Sequence, residues 1–557
     1  ACLEAKDEAA KADLLAVERW AVALAHHPEV KPRSKHWALF KMPADLDYDH
    51  LVETIRPYKE FQEKFEGPPE HRRARDGFKL TDERMKPREV MQEVHYCLYC
   101  HERGKDSCST GFLDKEKPGG YKTNPLGIPL EGCPLDEKIS EMHLLKKAGH
   151  SIAALATVMI DNPMCPGTGH RICNDCMKSC IFQKQEPVNI PQIETGVLTD
   201  VLHLPYGVEI YGLLTRWNPL NRRRPYPLRY NGKNVLVVGM GPAGYTLAHH
   251  LLNEGFGVVG IDGLKVEPLA TEIVGARRRV PMPIKDVTTL MDPLDERILL
   301  GFGGVSEYGI TVRWDKNFLD LIYLTLLRRK KFRLFGGVRF GGTLTIGDAW
   351  ALGFDHIALA TGAGRPTIVP MKNNLIRGVR KASDFLMALQ LSGAQKRNGL
   401  ANLQVRLPAV VIGGGLTAID TATELIAYYV VQVEKTLDRF ERLAAKVGGE
   451  EKIWKRMSAE DGEVMREFLA HGREVQAERA AAAKEGRAPD LAGLVRKWGG
   501  VSIAYRKSLK DAPAYRLNHE EVIKALEEGI SFIECHAPAE VVPDERGCAK
   551  GLICERQ

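Results

Sequence analysis

Twelve cysteines occur in the 557 residues, and eight of them crowd between Cys97 and Cys180. In order these are Cys97, Cys100, Cys108, Cys133, Cys165, Cys173, Cys176 and Cys180. Thiolates at such short spacing can wrap a metal centre, and several grouped ligands can hold iron–sulfur clusters. A Cys-Pro step like Cys133-Pro134 also follows ligands in ferredoxin runs. The competing reading is one structural zinc on Cys97, Cys100, Cys173 and Cys176. Zinc leaves Cys108, Cys133 and Cys180 without a purpose. Cys2, Cys535, Cys548 and Cys554 are isolated and read as packing residues.

Two further stretches have the spacing for phosphate chemistry. Asn234-Val-Leu-Val-Val runs into Gly239-Met-Gly241-Pro242-Ala243-Gly244, a strand, a glycine turn and a helix start. Gly239 permits the tight turn, Gly241 lets backbone approach a pyrophosphate, and Gly244 allows close helix–strand packing. The helix N-terminus then presents free N–H groups and a positive dipole end. The next strand ends in Asp262, about 20 residues on, where a carboxylate would hold ribose hydroxyls. A second unit, Val410-Val-Ile-Gly413-Gly414-Gly415-Leu-Thr417-Ala-Ile-Asp420, repeats the pattern. Its later strand, Val501 to Tyr505, ends in Arg506-Lys507, cations suited to a 2′-phosphate and so to NADPH, with NADH possible. Arg516 is a candidate second contact. Between the two units, Ala360-Thr361-Gly362 reads as a strand end passing close to a cofactor.

These residues must be positioned by more than one core, because 557 residues exceed what a single domain buries. Residues 1–90 read as a helical, charged extension with an Ala-rich start from Glu4 to His26. Residues 91–230 read as a helical domain holding the cysteines, with a helix over Asp136 to Ala148. Residues 231–400 and 401–557 read as two α/β domains, the second with a helical insertion at about 428–497. The net charge of +6 is small, and no basic run interleaved with aromatics argues for a nucleic-acid partner. Clusters such as Arg277-Arg278-Arg279 and Arg328 to Lys331 read as solvated faces or docking patches that favour an acidic partner. No apolar run is long enough to span a membrane, and the N-terminus lacks a secretory pattern. Clustered cysteines without an export signal point to ligation in a reducing, cytoplasmic compartment.

From about Arg88 to Arg556 the sequence resembles the glutamate synthase small-subunit family, related to the N-terminal half of dihydropyrimidine dehydrogenase. The pieces that carry the resemblance are the cysteine-rich front, the Gly-x-Gly-Pro-Ala-Gly turn and Gly303-Gly304-Val-Ser-Glu-Tyr308-Gly309-Ile310. Ala360-Thr361-Gly362, the Gly413 unit and Ala504-Tyr505-Arg506 complete the set. The resemblance implies an α-helical iron–sulfur domain followed by two Rossmann-like dinucleotide-binding domains of the pyridine nucleotide-disulfide oxidoreductase type. It implies two [4Fe-4S] clusters, FAD on the first α/β unit and NADPH on the second. Carried over by position, Cys97, Cys100, Cys108 and Cys180 would hold one cluster. Cys133, Cys173 and Cys176 would hold the other, with Glu194 as an oxygen ligand; Cys165 is extra. Gly304, Tyr308, Gly309 and Ile310 would join the cofactor contacts.

The expected activity is electron transfer from NAD(P)H through FAD and the clusters to a partner protein or subunit, or the reverse, within a hetero-oligomer. A nucleotide-binding structural subunit without turnover is the alternative. A disulfide reductase is disfavoured because no cysteine lies between Cys180 and Cys535. The sequence departs from the family in its longer Cys100–Cys108 and Cys108–Cys133 spacings, in added residues between Asp262 and Gly303, and in the insertion. The family's final flavin-contacting segment is expected to lie beyond this sequence, leaving the FAD domain without its C-terminal part.

Overall fold

The computed structural model describes residues 8–30, 41–275, 280–297, 299–309 and 311–557. Cys2, the arginines 277–279 and Ile310 lie outside the described residues. The chain divides into two compact units, each discontinuous in sequence. The first takes in 1–47, 82–292 and 313–360, and the second 48–81, 293–312 and 361–557.

The front of the first unit is helical. After α1 (Glu8–His26), it contains α2 (Pro87–Tyr96), α3 (Ile139–Lys147), α4 (Ser151–Asp161), α5 (Cys165–Ile172), α6 (Ile190–Leu202) and α7 (Gly207–Leu214). Helix α6 is the hub and packs against α2, α4, α5 and α7. It can do so because Ile190, Ile193, Val197, Leu198 and Val201 are all buried, a face too wide for a surface helix. Pro191 stands in its first turn and the Asn189 side chain caps it, so the start is locally encoded. The expected helix over Asp136–Ala148 is seen as α3, beginning at Ile139.

The rear of this unit is a parallel four-stranded sheet in the order β3-β2-β1-β4. Its strands are β1 (Asn234–Val238), β2 (Gly257–Ile261), β3 (Phe332–Phe335) and β4 (His356–Leu359). Helices α8 (Pro242–Asn253), α9 (Phe318–Leu327) and α10 (Ile346–Ala351) accompany them. Strand β1 is central and buried along nearly its whole length, as an apolar Val-rich run between parallel neighbours should be.

The second unit holds another sheet, ordered from the two-residue strand Lys64–Phe65 through β7 and β6 to β5. Strands β5 (Ala409–Ile412), β6 (Val501–Ala504) and β7 (Ser531–Ile533) are parallel, and Lys64–Phe65 adds an antiparallel edge. Strands β8 (His536–Pro543) and β9 (Ala549–Arg556) form a separate antiparallel ribbon. The helices are α11 (Ala382–Leu391), α12 (Leu416–Val447), α13 (Ala459–Glu485), α14 (Leu491–Lys497) and α15 (Pro513–Glu527).

One expectation needs amendment. The charged stretch before residue 90 is not wholly helical: residues 48–81 lie in the second unit and include the strand Lys64–Phe65. Their charges serve burial instead. The Arg75 guanidinium reaches Glu424 at 2.9 Å and Glu528 at 2.8 Å, both carboxylates fully buried. Burial works against that cation, but Glu528 and Glu424 outweigh it and hold its pKa above the ordinary value. The stretch expected as a helical insertion is helical, and its helices pack on one another. Helix α12 starts at the second glycine turn and runs on for 32 residues. Helix α13 then lies so close that a Cβ on Gly472 would meet the Val433 carbonyl oxygen at 2.8 Å.

Candidate functional site

The cysteines of the first unit fall into two electrostatic sets. Cys97 is pushed up to about 12, chiefly by burial and then by Cys180, Cys100 and Asp106, against a backbone bond from Tyr99. Cys108 is raised by burial, Asp106, Cys180 and Cys97. Cys180 is raised by burial and by Cys100. These four thiols therefore feel one another. Cys133, pushed up to about 11 by burial and Glu137, also feels Cys173. Cys176 is raised well above its ordinary value by burial and then by Cys173, Glu137, Cys133 and Glu194.

Each set comes with backbone donors. The Tyr99 N–H points at Cys97 Sγ at 3.4 Å. Backbone N–H groups of Leu135 and Glu137 serve Cys133, that of Asp175 serves Cys173, and those of Phe182, Val188 and Ile181 serve Cys180. Such donors stabilise sulfur that carries negative charge. The loops keep them in place: the Cys133 N–H donates to Cys108 O at 2.9 Å, tying the two cysteine segments together. Among the described residues no three His, Cys, Asp or Glu side chains converge as ligands of a single metal ion.

Glu194 stands beside the second set, on the second turn of α6. It hydrogen-bonds Glu137 and accepts from Thr168 Oγ1 at 3.2 Å. Burial and the neighbouring Glu137 charge raise it well above the carboxylate range, and burial pushes Glu137 to about 7. Two buried carboxyls so placed resist carrying charge together. Glu137 is the residue the sequence reading missed. Its only signal was its place four positions after Cys133. Cys165 is fully buried and raised by burial, Glu194 and Glu137, so it belongs to the same neighbourhood.

The first glycine turn joins β1 to α8. Gly239 has φ +95°, and a Cβ on Gly244 would lie 1.9 Å from the Gly239 carbonyl oxygen. Only glycine fits there. Gly241 is the N-cap of α8, followed by Pro242 in the first turn; Pro242 and Ala243 are exposed. Asp262, just past β2, accepts from the Met240 N–H and the Leu264 N–H, each at 3.0 Å. Thr361 and Gly362 follow β4 and are exposed, Gly362 at φ +68°.

In the second unit, Gly413 ends β5 and Gly415 caps α12. A Cβ on Gly414 would press into the Tyr505 ring at 2.6 Å. Thr417 is exposed on the first turn of α12 and Asp420 half-buried on the next. Arg506 and Lys507 are exposed immediately beyond β6, at the same end of the sheet as the turn, since β5 and β6 are parallel. Gly304 caps a short helix, Val305–Tyr308, which ends at Gly309. Arg297 braces that helix through Glu307 at 2.7 Å, both side chains buried.

Residues 233–478 match the model of the pyridine nucleotide-disulphide oxidoreductase family. An uncharacterized protein of Rickettsia prowazekii is 46% identical over 385 residues, covering 69% of this chain and 51% of that protein. The glutamate synthase [NADPH] small chain of Mycobacterium tuberculosis is 25% identical over 305 residues, covering 53% of this chain and 51% of that one. The chain thus spans about half the length of these curated relatives. Among solved structures, an amine oxidase from Pseudomonas geniculata N1 aligns at 13% identity and a TM-score of 0.33, over 74% of this chain and 42% of that one. No described helix is long and apolar enough to cross a membrane.

Proposed function

We propose that this chain is an electron-transfer module linking NADPH, through FAD and two [4Fe-4S] clusters, to a partner protein in a reducing, cytoplasmic setting. The observation that carries it is the division of the cysteines into two mutually sensitive sets, each equipped with backbone N–H donors, in a chain with two glycine turns. Cys97, Cys100, Cys108 and Cys180 would hold one cluster. Cys133, Cys173 and Cys176 would hold the other, with Glu194 as oxygen ligand and Glu137 hydrogen-bonded to it. A four-iron cubane carries its ligands at separate corners, a wider arrangement than the shell of one ion. A single zinc on Cys97, Cys100, Cys173 and Cys176 would have to draw two cysteines from each set.

FAD and NADPH supply hydride chemistry and the clusters single-electron capacity. The chain's own residues bind and orient. Gly239, Gly241 and Gly244 would leave a path for a pyrophosphate, and Asp262, already held by two backbone donors, would bind ribose hydroxyls. Gly413 to Gly415 would do the same for the nicotinamide nucleotide, and Arg506 and Lys507 would bind a 2′-phosphate. Metal analysis of the anaerobically purified protein tests this: about eight iron and eight acid-labile sulfide per chain are expected. Stoichiometric zinc without sulfide would refute it.

A further inference from the structure

Between α7 and β1 the chain runs without regular structure from Thr215 to Lys233, but it is firmly held. Asn218, buried, donates Nδ2 to Ala156 O at 2.7 Å, and its N–H donates to Pro225 O at 3.1 Å. The Arg224 N–H donates to Asn221 Oδ1 at 3.0 Å, and the Leu228 N–H to Asn253 O at 2.7 Å. Pro219, Pro225 and Pro227 each fix a backbone angle. On this frame large apolar side chains face outward: Tyr226 is 63% exposed, Leu228 49%, Leu220 42% and Trp217 36%. The rings of Trp217 and Tyr226 stack at 6.4 Å.

The same loop is strongly cationic. No acidic residue occurs from Leu213 to Lys233. Arg224 is paired with Glu254 at 2.6 Å, whereas Arg222, Arg223 and Arg229 are exposed with no carboxylate partner among the described residues. Trp217, Tyr226 and Tyr230 stand among these arginines.

We propose that this loop is a docking surface for an acidic face of a partner protein. A single exposed leucine is ordinary, but Trp217 and Tyr226 pack together at the surface with Leu220 and Leu228 exposed on the same loop, a concentration of apolar side chains of the kind that marks interaction sites. Trp, Tyr and Arg are the side chains that anchor protein interfaces. The unpaired arginines call for carboxylates opposite them, and the rigid frame lowers the ordering cost of binding. A membrane-surface segment would present an amphipathic helix, which this loop is not. A nucleic-acid platform would stack bases on a series of aromatic side chains along a groove, whereas the side chains exposed here are mostly aliphatic or a single ring pair, Leu220, Leu228 and Trp217 with Tyr226. Resting on the electron-transfer reading, the occupant is the protein with which the chain exchanges electrons.

The test uses the cofactor-loaded chain and three probes: a small acidic ferredoxin, phosphatidylcholine vesicles containing phosphatidylserine, and a short DNA duplex. The ferredoxin is expected to bind with a salt-sensitive affinity. Arg222→Glu with Arg223→Glu should weaken it about 10-fold or more, and Trp217→Ser or Tyr226→Ser by a comparable factor. Arg222, Arg223 and Tyr226 are well exposed, so the thermal melt of those variants should not move. No ferredoxin binding, binding indifferent to the loop variants, or preference for vesicles or DNA would each overturn the proposal. Flavin reduction by NADPH in the same samples separates the two claims. If NADPH reduces the flavin but the loop does not matter, the docking surface alone fails. If it does not, the electron-transfer reading fails.

Discussion

The two glycine turns start alike and finish differently. At the first, the backbone leaves no room: Gly244 and Gly239 are in near contact, and the acid Asp262 ties the turn to the next strand. At the second, the crowding comes from a side chain, the Tyr505 ring against Gly414, and the strand beyond it ends in exposed Arg506 and Lys507. The same kind of turn is thus followed by opposite charge, an acid after the first and cations after the second. An acid suits free ribose hydroxyls and a cation suits a 2′-phosphate. The difference supports FAD at the first turn and NADPH at the second.

The largest expected effect comes from filling the tighter turn. Gly244→Val should abolish flavin retention, because the new side chain meets a carbonyl oxygen with nowhere to go. Gly414→Ala should be milder, since the Tyr505 ring can tilt. It should raise the Michaelis constant for NADPH and leave flavin content intact. If Gly414→Ala instead removes the flavin, the two turns are assigned the wrong way round.

Charge reversal at Arg506 sharpens the comparison further. A charge-assisted contact to a 2′-phosphate contributes roughly 1.5 to 3 kcal/mol, so Arg506→Glu should raise the Michaelis constant for NADPH by about 10-fold or more. The constant for NADH should barely change. Equal effects on both nucleotides would show that Arg506 does not read the phosphate.

The helices behind the turns differ in a smaller way, through buried bases. In α8, His249 is pulled down to about 3 by burial, His250 and Arg329, from an ordinary value of 6.5. Between those values the unfolded chain binds the extra proton, so stability falls as pH drops through that window. In α12, Lys435 is lowered to about 8 from 10.5, by burial and Arg439, while its Nζ donates to Ala394 O and Ala401 O. Here the unfolded chain holds more protons between about pH 8 and 10.5, so stability rises with pH across that range. Melting followed against pH should lose its acid slope in His249→Phe and its alkaline slope in Lys435→Met. Unchanged slopes would mean that other groups set them.

Sequence made the turns legible because their constraints are local. A glycine forced by a carbonyl three to five residues away leaves its mark in a short motif, as Gly239, Gly241 and Gly244 do. The burial of Arg75 between Glu424 and Glu528 was not legible, since those partners lie more than 340 residues away. A charged, proline-punctuated stretch simply looks like an extension. Glu137 escaped notice because its role depends on α6 bringing Glu194 to it. The Trp217–Tyr226 loop was passed over for a related reason. It has no periodicity, and its order comes from Asn218 and the prolines, not from a helix or strand pattern.

The central claim is that electrons from NADPH reach the flavin and then both cysteine sets. It is tested most directly by adding NADPH to the anaerobic, cofactor-loaded protein while recording visible absorbance and electron paramagnetic resonance, beside a Cys97→Ser variant. The account predicts bleaching of the flavin and a reduced-cluster signal in the parent protein. In the variant it predicts the same flavin bleaching with one cluster missing and the other retained. Loss of both clusters and the flavin together, or no bleaching in the parent, would contradict it.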